Sequence, residues 1–514
     1  MKRAAGTNGR FGTARRCLPA QAGVTIMMVI AFMGIFLLIM GTVTSYAFQQ
    51  AKYGRALYGR EQAISVAEAG LEYYRWFLAH NPDNLTNGTG QPGPYTYTVN
   101  DPEGGVVGQA ALTVAGNSAC GVIQSIDITS RGTSDLNPGF PRTLAARYMR
   151  KSVAAYSYLL NSNVWAGSDR VITGPYFSNG GIRMDGSNNS DVLSPVSSWI
   201  CTSSYNCVPT QNNAPGVVGS GSGSALWQWG ANVSSVNFAG IGANLGNLKT
   251  SAQTAGGLYF APASGAANQR GYHLIFNSDG TVTVRRVSAT IGVPSYSSDT
   301  NDLSRSYGWT TREYSIIKTE TLVGTYTVPS SCSLIFVEDR AWIEGVVKGK
   351  VTLVVATPLD GVAAVVPTSV YITNNITYAS NDGTAGLTVI AEDSINISLL
   401  SPATMELHGI FVAQGGLYGR NLYTADHSIC TNGLQYCVDS VSASYSPYTK
   451  RTLLTTEGTV VSKLRTGTSW NCSGTYCSGY QTRVDAYDQL QATNPPPFTP
   501  SASADYSFVL WREQ

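Results

Sequence analysis

The chain has 514 residues, a formal net charge of +2 and only 12% charged residues. That length suits two to four domains or one elongated repeat architecture. The thin, balanced charge argues against a nucleic-acid partner, because phosphate binding needs clustered Lys and Arg.

The composition, with 54 Gly and 29 Tyr, suits β-structure with many turns or an exported surface protein. Five positive charges and no acid come first (Lys2, Arg3, Arg10, Arg15, Arg16), with Cys17 in the same leader. No charged residue then separates Arg16 from Lys52, and within that window Val24–Val43 is 20 residues long and almost wholly apolar. At ~1.5 Å per residue such a run spans the ~30 Å hydrocarbon core of a bilayer. The basic leader then stays cytoplasmic and the remainder faces outward. A cleaved signal peptide is the rival reading, with Ser45-Tyr46-Ala47 as its site. Its apolar core would normally be roughly 7–15 residues, shorter than this one.

From Phe48 to His80 there is no proline. Leu57, Ile64, Ala67, Leu71, Tyr74 and Leu78 recur at helical spacing and share one face. The helix is expected to stop at Asn81-Pro82, since proline disfavours helix in the residue before it. Membrane segment and amphipathic extension then form one helix from Val24 to His80. Gly34, Gly41, Gly54 and Gly59 are its soft points, each costing up to ~1 kcal/mol against alanine. On residues alone, a plain membrane anchor with a helical stalk stays open.

Behind the basic leader, Gly23 followed by Val24-Thr25-Ile26-Met27-Met28 resembles a class III (type IV prepilin) signal. The stretch "REQAISVAEAGLEYYRWFLA" (Arg60–Ala79) resembles the A-x-x-x-A-E-A-G-L block of PilX-type minor pilins and related pilus-assembly proteins. The likeness covers about residues 15–80. It implies that a prepilin peptidase cuts between Gly23 and Val24, on the cytoplasmic side, and that the new N-terminus is often methylated. The mature chain then keeps its helix and packs it among other pilin subunits. Counted from Val24, the fifth residue is Met28, where major pilins carry a glutamate. A carboxylate in lipid is expensive and is kept mainly for a partner. Its absence implies a minor subunit, at an initiating or tip position.

A turn-rich linker (Pro82–Pro94) follows, then four candidate strands: Tyr95–Val99, Ala110–Val114, Val122–Thr129 and Thr143–Val153. One long helix with a small antiparallel sheet is the architecture of a pilin head. Further on, "GPYFSNGGI" (Gly174–Ile182) and "GIFVAQGGL" (Gly409–Leu417) share a pattern position by position. Trp342–Ala356 and Leu387–Leu400 repeat the rhythm of short strand, turn, short strand. Such repeats predict a β-solenoid, in which each coil needs its neighbours to bury its apolar face; an ordinary β-sandwich is the alternative. PilX-like proteins with a β-helical C-terminal region are similar. Residues 185–328 read as an insertion, with Gly219–Ser224 as a loop and a hairpin at Tyr272–Val287 turning on Ser278-Asp279-Gly280.

Eight cysteines follow the leader. Cys201/Cys207, Cys430/Cys437 and Cys472/Cys477 form close pairs, and Cys120 and Cys332 are left over. An even count in an exported chain predicts disulfides. The scattered histidines (His80, His273, His408, His427) give no zinc pattern. Glu338-Asp339 with Glu344, and Glu392-Asp393, are the clearest acidic groups for a polysaccharide-active enzyme. Beside turns, solvated carboxylates are the default, so no catalytic residue, cofactor or metal is expected. "WQW" (Trp227–Trp229) and Tyr176-Phe177 are candidates for stacking on a surface ligand.

The expected architecture is α+β then mostly β. It comprises a leader (1–23), a membrane-spanning helix (24–81), a pilin-like β region (82–154), a right-handed β-helix-like solenoid (155–426) and a cysteine-containing C-terminal region (427–514). The expected role is a minor pilin-like subunit, single-pass in the inner membrane with its bulk exported, acting in pilus assembly or as an adhesive tip component. A β-helical adhesin anchored outside any filament is the alternative, and a polysaccharide-active enzyme a further one.

Overall fold

The apolar window and its extension form one continuous helix, α1 (Ala22–His80), about 88 Å long at 1.5 Å per residue. It belongs to a computed structural model that describes residues 22–82, 84–266, 268–298, 309–356, 368–425, 439–472 and 474–514. A mostly β chain with an antiparallel sheet follows the helix. Two compact units divide the chain. One holds the helix as far as Gly70 together with Thr96–Ala111 and Arg131–Thr143; the other holds Leu71–Tyr95, Leu112–Ser130 and Leu144–Gln514.

The four head strands are β1 (Tyr95–Asn100), β2 (Val106–Ala119), β3 (Val122–Ser134) and β4 (Arg142–Ser152). They lie in sheet order β1-β2-β3-β4, followed by the C-terminal strand Ser501–Glu513. That last strand runs antiparallel to β4, with Phe508 opposite Tyr148 and Trp511 opposite Ala146.

Within the first unit, glycines set how closely helix and sheet approach. A Cβ on Gly132 would overlap the Ala63 carbonyl and stand 2.5 Å from the Ala67 nitrogen. One on Gly59 would stand 2.7 Å from the Asn137 Cβ. The Gln62 carboxamide oxygen accepts a hydrogen bond from the Ser134 hydroxyl. Gly59, Ala63, Val66, Ala67 and Gly70 are therefore the buried face here; within the other unit, Leu71, Tyr74 and Leu78 are buried. Leu57, expected on that face, is 42% exposed, and Ile64 is only half-buried. Small side chains win these positions because backbone meets backbone there. Gly59, read as a soft point, is a contact point.

Beyond Ser152, strands of two to thirteen residues stack in parallel and in register. Leu258, Ile335, Leu353, Val389, Phe411, Val460, Tyr158, Tyr176, Val192 and Trp227 make one column, each paired with the next. At ~4.8 Å per rung the column is about 43 Å long. Its inner members are at most 4% exposed, while Leu258 and Trp227, at the two ends, are half-buried. A second column runs Leu407, Thr456, Asp485, Ile172, Asn188, and a third, shorter one Val164, Ile182, Val217. The two similar nonapeptides fall in the first column, with Phe411 and Tyr176 three rungs apart.

Rung order is not chain order. The chain enters at Tyr158–Leu160, builds out to Trp227–Trp229 and crosses to the far end at Leu258–Phe260. It then works back to Lys450–Ser462, which pairs with both Thr404–Ala413 and Tyr158–Leu160. Several strands within residues 185–328 are thus rungs, among them Val192–Ser194, Val217–Val218 and Leu258–Phe260. So are Lys450–Ser462 and Thr475–Ala486 of the C-terminal region. Runs this short carry too little periodicity to announce themselves. The expected hairpin pairs Gly271–Phe276 with Thr281–Ser297, and Gly280 at its turn has φ +93°.

The Gly/Ser run is packed against the chain between Met184 and Asn188. A Cβ on Gly219, Gly221 or Gly223 would overlap the carbonyls of Met184, Gly186 or Asn188. Between them, the Ser220 hydroxyl donates to Asp185 at 2.9 Å.

Buried charge is concentrated where the returning chain meets its own start. Arg170 and Asp485 are 4% and 2% exposed and bond through Nε at 2.9 Å, and the Tyr158 hydroxyl donates to the same carboxylate at 2.8 Å. Arg483 pairs with Asp169 at 2.7 Å across the same strand pair. Elsewhere, His273 Nδ1 lies 2.9 Å from Glu320, itself bonded by Arg285, and Nε2 lies 3.6 Å from Glu344. Burial works against the charged imidazole, but the neighbouring carboxylates of Glu344 and Glu320 outweigh it and raise its pKa above the usual 6.5.

Gly132→Val should destabilise the full chain by about 2–4 kcal/mol, because the added side chain meets helix backbone that cannot yield. Urea unfolding in detergent reads this, and an unchanged midpoint would contradict the close approach. Asp485→Asn should cost about 3–5 kcal/mol by leaving Arg170 buried beside a neutral group; thermal unfolding against an exposed control, Asp505→Asn, measures it. Charged His273 stabilises below its unfolded pKa of 6.5, and that contribution fades as pH rises through the raised folded value. The stability gap between the wild type and His273→Gln should therefore shrink as pH rises above about 6.5. A gap that ignores pH removes the charge account.

Candidate functional site on the N-terminal helix

Every described side chain from Gly23 to Arg55 is exposed, including Val24, Ile26, Met27, Phe32, Phe36 and Leu38. By length and composition α1 can cross a bilayer. Its polar side chains answer to their own helix. The Thr42 hydroxyl donates to the Ile39 carbonyl at 2.8 Å, Thr44 to Met40 at 2.6 Å, and Gln50 to the Tyr46 hydroxyl at 3.0 Å. Hydroxyls satisfied this way do not oppose an apolar surrounding.

Gly23 and Val24 lie in the first turn of α1, which carries no acid. Met28 is one turn further and 60% exposed. The first acid on the helix is Glu61, after Lys52, Arg55 and Arg60. The resembling block has a plain structural role at its other end: Ala63, Ala67, Gly70 and Leu71 are buried and Glu68 is exposed. Sequence reading missed how far the apolar surface continues. Tyr46, Phe48, Tyr53 and Tyr58 are exposed beyond Val43, and their aromatic, non-aliphatic character was the available signal.

Three cysteine pairs are joined: Cys201–Cys207, Cys472–Cys477 and Cys120–Cys332. Cys17, Cys430 and Cys437 lie outside the described residues, as does His427. Cys120–Cys332 spans 212 positions, tying the β2–β3 turn to the ladder beside Leu334.

The acidic groups weighed for catalysis are engaged in the scaffold. Glu338, 1% exposed, takes bonds from Lys249 at 2.9 Å and from the Tyr259 hydroxyl at 2.5 Å. Asp339 accepts from the backbone nitrogens of Ala263 and Arg340, and Glu344 from Thr373 at 3.0 Å. Asp393 accepts from the Ser369 hydroxyl at 3.2 Å. Burial raises the pKa of both Asp339 and Asp393. These carboxylates were expected to be solvated; neighbouring chain covers the corners they occupy. Among the described residues no three His, Cys, Asp or Glu side chains gather around a possible metal position.

Tyr176 and Phe177 are buried, so they offer no stacking surface to an outside ligand. Trp227 and Trp229 occupy the terminal rung, where Trp227 continues the core column and bonds Asn188 through its indole nitrogen at 3.0 Å. The Trp227 indole packs on the core at the end of the stack, while Trp229 of the same rung is 42% exposed.

No known family model matches the sequence, and no curated protein matches it. Among solved structures, the competence-associated pilin ComZ from Thermus thermophilus aligns over 89% of this chain and 97% of its own, at 12% identity and a TM-score of 0.28. At that score the likeness carries no argument about fold or role.

Proposed function

We propose that the chain is a minor pilin-like subunit of a type IV pilus or related filament, acting in assembly or as an exposed tip component. One observation carries the reading: an uncharged 20-residue run, Val24–Val43, is bare on every side, while the same helix is packed against glycine-marked sheet from Gly59 onward. Apolar surface on that scale needs a cover. Lipid supplies it before assembly and neighbouring helices after it. Cutting between Gly23 and Val24 by a prepilin peptidase leaves the run in the product. The basic leader places the N-terminus in the cytoplasm and the β-domain outside, an oxidising setting that suits the disulfides.

In this reading the parallel columns are the coils of a β-solenoid. Tyr158–Leu160 to Tyr176–Ser178 and Val164–Ala166 to Ile182–Met184 each repeat after 18 residues in register, which supports it. The solenoid binds a surface ligand and has no catalytic role. Met28 favours a second reading, a β-helical adhesin anchored in the membrane and never polymerised, because that position offers no carboxylate to a neighbour.

Mass spectrometry of the mature N-terminus from a host with a prepilin peptidase tests the assignment. A start at Val24, methylated, is expected, together with recovery in the sheared filament fraction. An intact Met1 or a start at Phe48 overturns it. A Val24 start with membrane-only recovery transfers the case to the adhesin.

A further inference from the structure

Lys350 opens the rung Lys350–Val355, and Gln491 lies in the short helix Gln489–Thr493. The Lys350 Nζ is 2.6 Å from the Gln491 carboxamide oxygen and also donates to the Asn494 carbonyl. Both partners are neutral. Gln491 is 1% exposed and its carboxamide is held on every side. Nε2 donates to the Ala385 carbonyl at 2.7 Å. A Cβ on Gly386 would stand 3.0 Å from the carboxamide carbon, so the group lies directly on a glycine. Asp488 fixes the backbone beneath it by accepting from the Gln491 nitrogen at 3.3 Å. With a C=O bond of ~1.23 Å and an ordinary angle at oxygen, the amine sits roughly 3.4 Å from that carbon on its oxygen side, and a turn of the lysine side chain brings it over the carbonyl face.

We propose that Lys350 and Gln491 form an intramolecular isopeptide bond, cross-linking the ladder to the segment that leads into the C-terminal strand. The neutral amine adds to the carboxamide carbon. The Nζ–Cδ bond forms, the Cδ–Nε2 bond breaks, and Nε2 leaves as ammonia, carrying one proton from Nζ. No oxidant, metal or cofactor is consumed. Burial supports the step by pushing the Lys350 amine down to about 8, so that a large share is nucleophilic in mildly alkaline solution. The Asn494 carbonyl keeps the amine from swinging away. The link would join positions 141 residues apart.

The competing account is a lysine that merely hydrogen-bonds the end of a short helix. Tryptic digestion and tandem mass spectrometry of the reduced, purified full chain, held for days at about pH 8.5, separate the two. The proposal expects a branched peptide containing Lys350 and Gln491, lighter than its two parts by about 17 Da, the mass of ammonia. That peptide should be missing from Lys350→Arg. Two separate peptides, one cleaved after an unmodified Lys350 and one with an intact Gln491 carboxamide, overturn the proposal from the wild type alone, whether or not the variant folds.

Discussion

A three-residue strand cannot bury an apolar side chain by itself, and this constraint governs the β-domain. Tyr158 is covered because Val460 lies on one side of it and Tyr176 on the other. Each in turn needs its own neighbour. The stack must therefore be continuous, and its ends must be closed by something other than another rung. The Trp227 indole covers one end. The outer face of the first column's strands has the same need. Phe336, Val354, Ile390, Val412, Val461 and Leu159 point away from the core column, yet they are buried with Ile241, Leu248 and Ala252 of the crossover segment and with Phe498. Covered on both faces, such strands carry continuous apolar runs, as Gly386–Ala391 does with all six residues buried. The low charge of the sequence follows from the same geometry.

The N-terminal helix answers the burial problem in two ways along one element. From Gly59 onward its cover is intramolecular, and the cost of close approach is met by removing side chains: Gly59, Ala63 and Gly132 let backbones meet. Before that point the helix brings no cover of its own. Its side chains stay large and apolar, and its hydroxyls are turned back on the backbone. The two halves are built for different surroundings. The boundary between them, with Lys52, Arg55 and Arg60 before the first acid, falls where a helix leaving lipid would begin to tolerate charge.

The sequence made much of this legible and hid the rest for physical reasons. Helix extent was readable because an uncharged run followed by a proline-free stretch has few other solutions; α1 spans Ala22–His80 and Asn81-Pro82 follows it. The four head strands were readable as short runs between turns, the third by its alternation, each centred within three residues of its observed position. The nonapeptide resemblance was readable because glycine is tied to backbone geometry: a Cβ at Gly180 or Gly415 would press on the Asn163 nitrogen or the Glu392 carbonyl. Rung order was not readable. The core column mixes Leu, Ile, Val, Phe, Tyr and Trp, so stacking leaves no repeated residue to find. Pairings such as Val460 with Tyr158 join positions about 300 apart, with no local trace. The helix face departs from the apolar spacing at Leu57 because the buried positions there are the small residues Gly59, Ala63 and Ala67. In the candidate site, the apolar run was the plainest feature of all, while the role of "WQW" as an end closure depended on which rung came last.

One consequence of permuted rung order concerns specificity. The chain starts its ladder in the middle, so Tyr158–Leu160 and Arg170–Thr173 wait for partners made some 300 residues later. A row of aliphatic side chains alone would accept a neighbouring strand in several registers, since one slipped rung still buries apolar surface. Charge does not allow that. Arg170 with Asp485, and Arg483 with Asp169, cross the same strand pair in opposite directions, so sliding either strand leaves two buried cations and two carboxylates unmatched. Unpaired buried charge costs several kcal/mol per ion in effect, more than a shifted aliphatic contact. The Tyr158 hydroxyl, bonded to Asp485, adds the adjoining rung to the same lock. Such pairs gain little stability over well-packed hydrocarbon, and their value here lies in selecting one closure among many. The seam is the place where a ladder built from both ends of the domain has to meet in step, and it is where this charge-poor chain sets a buried ion pair beside a half-buried one.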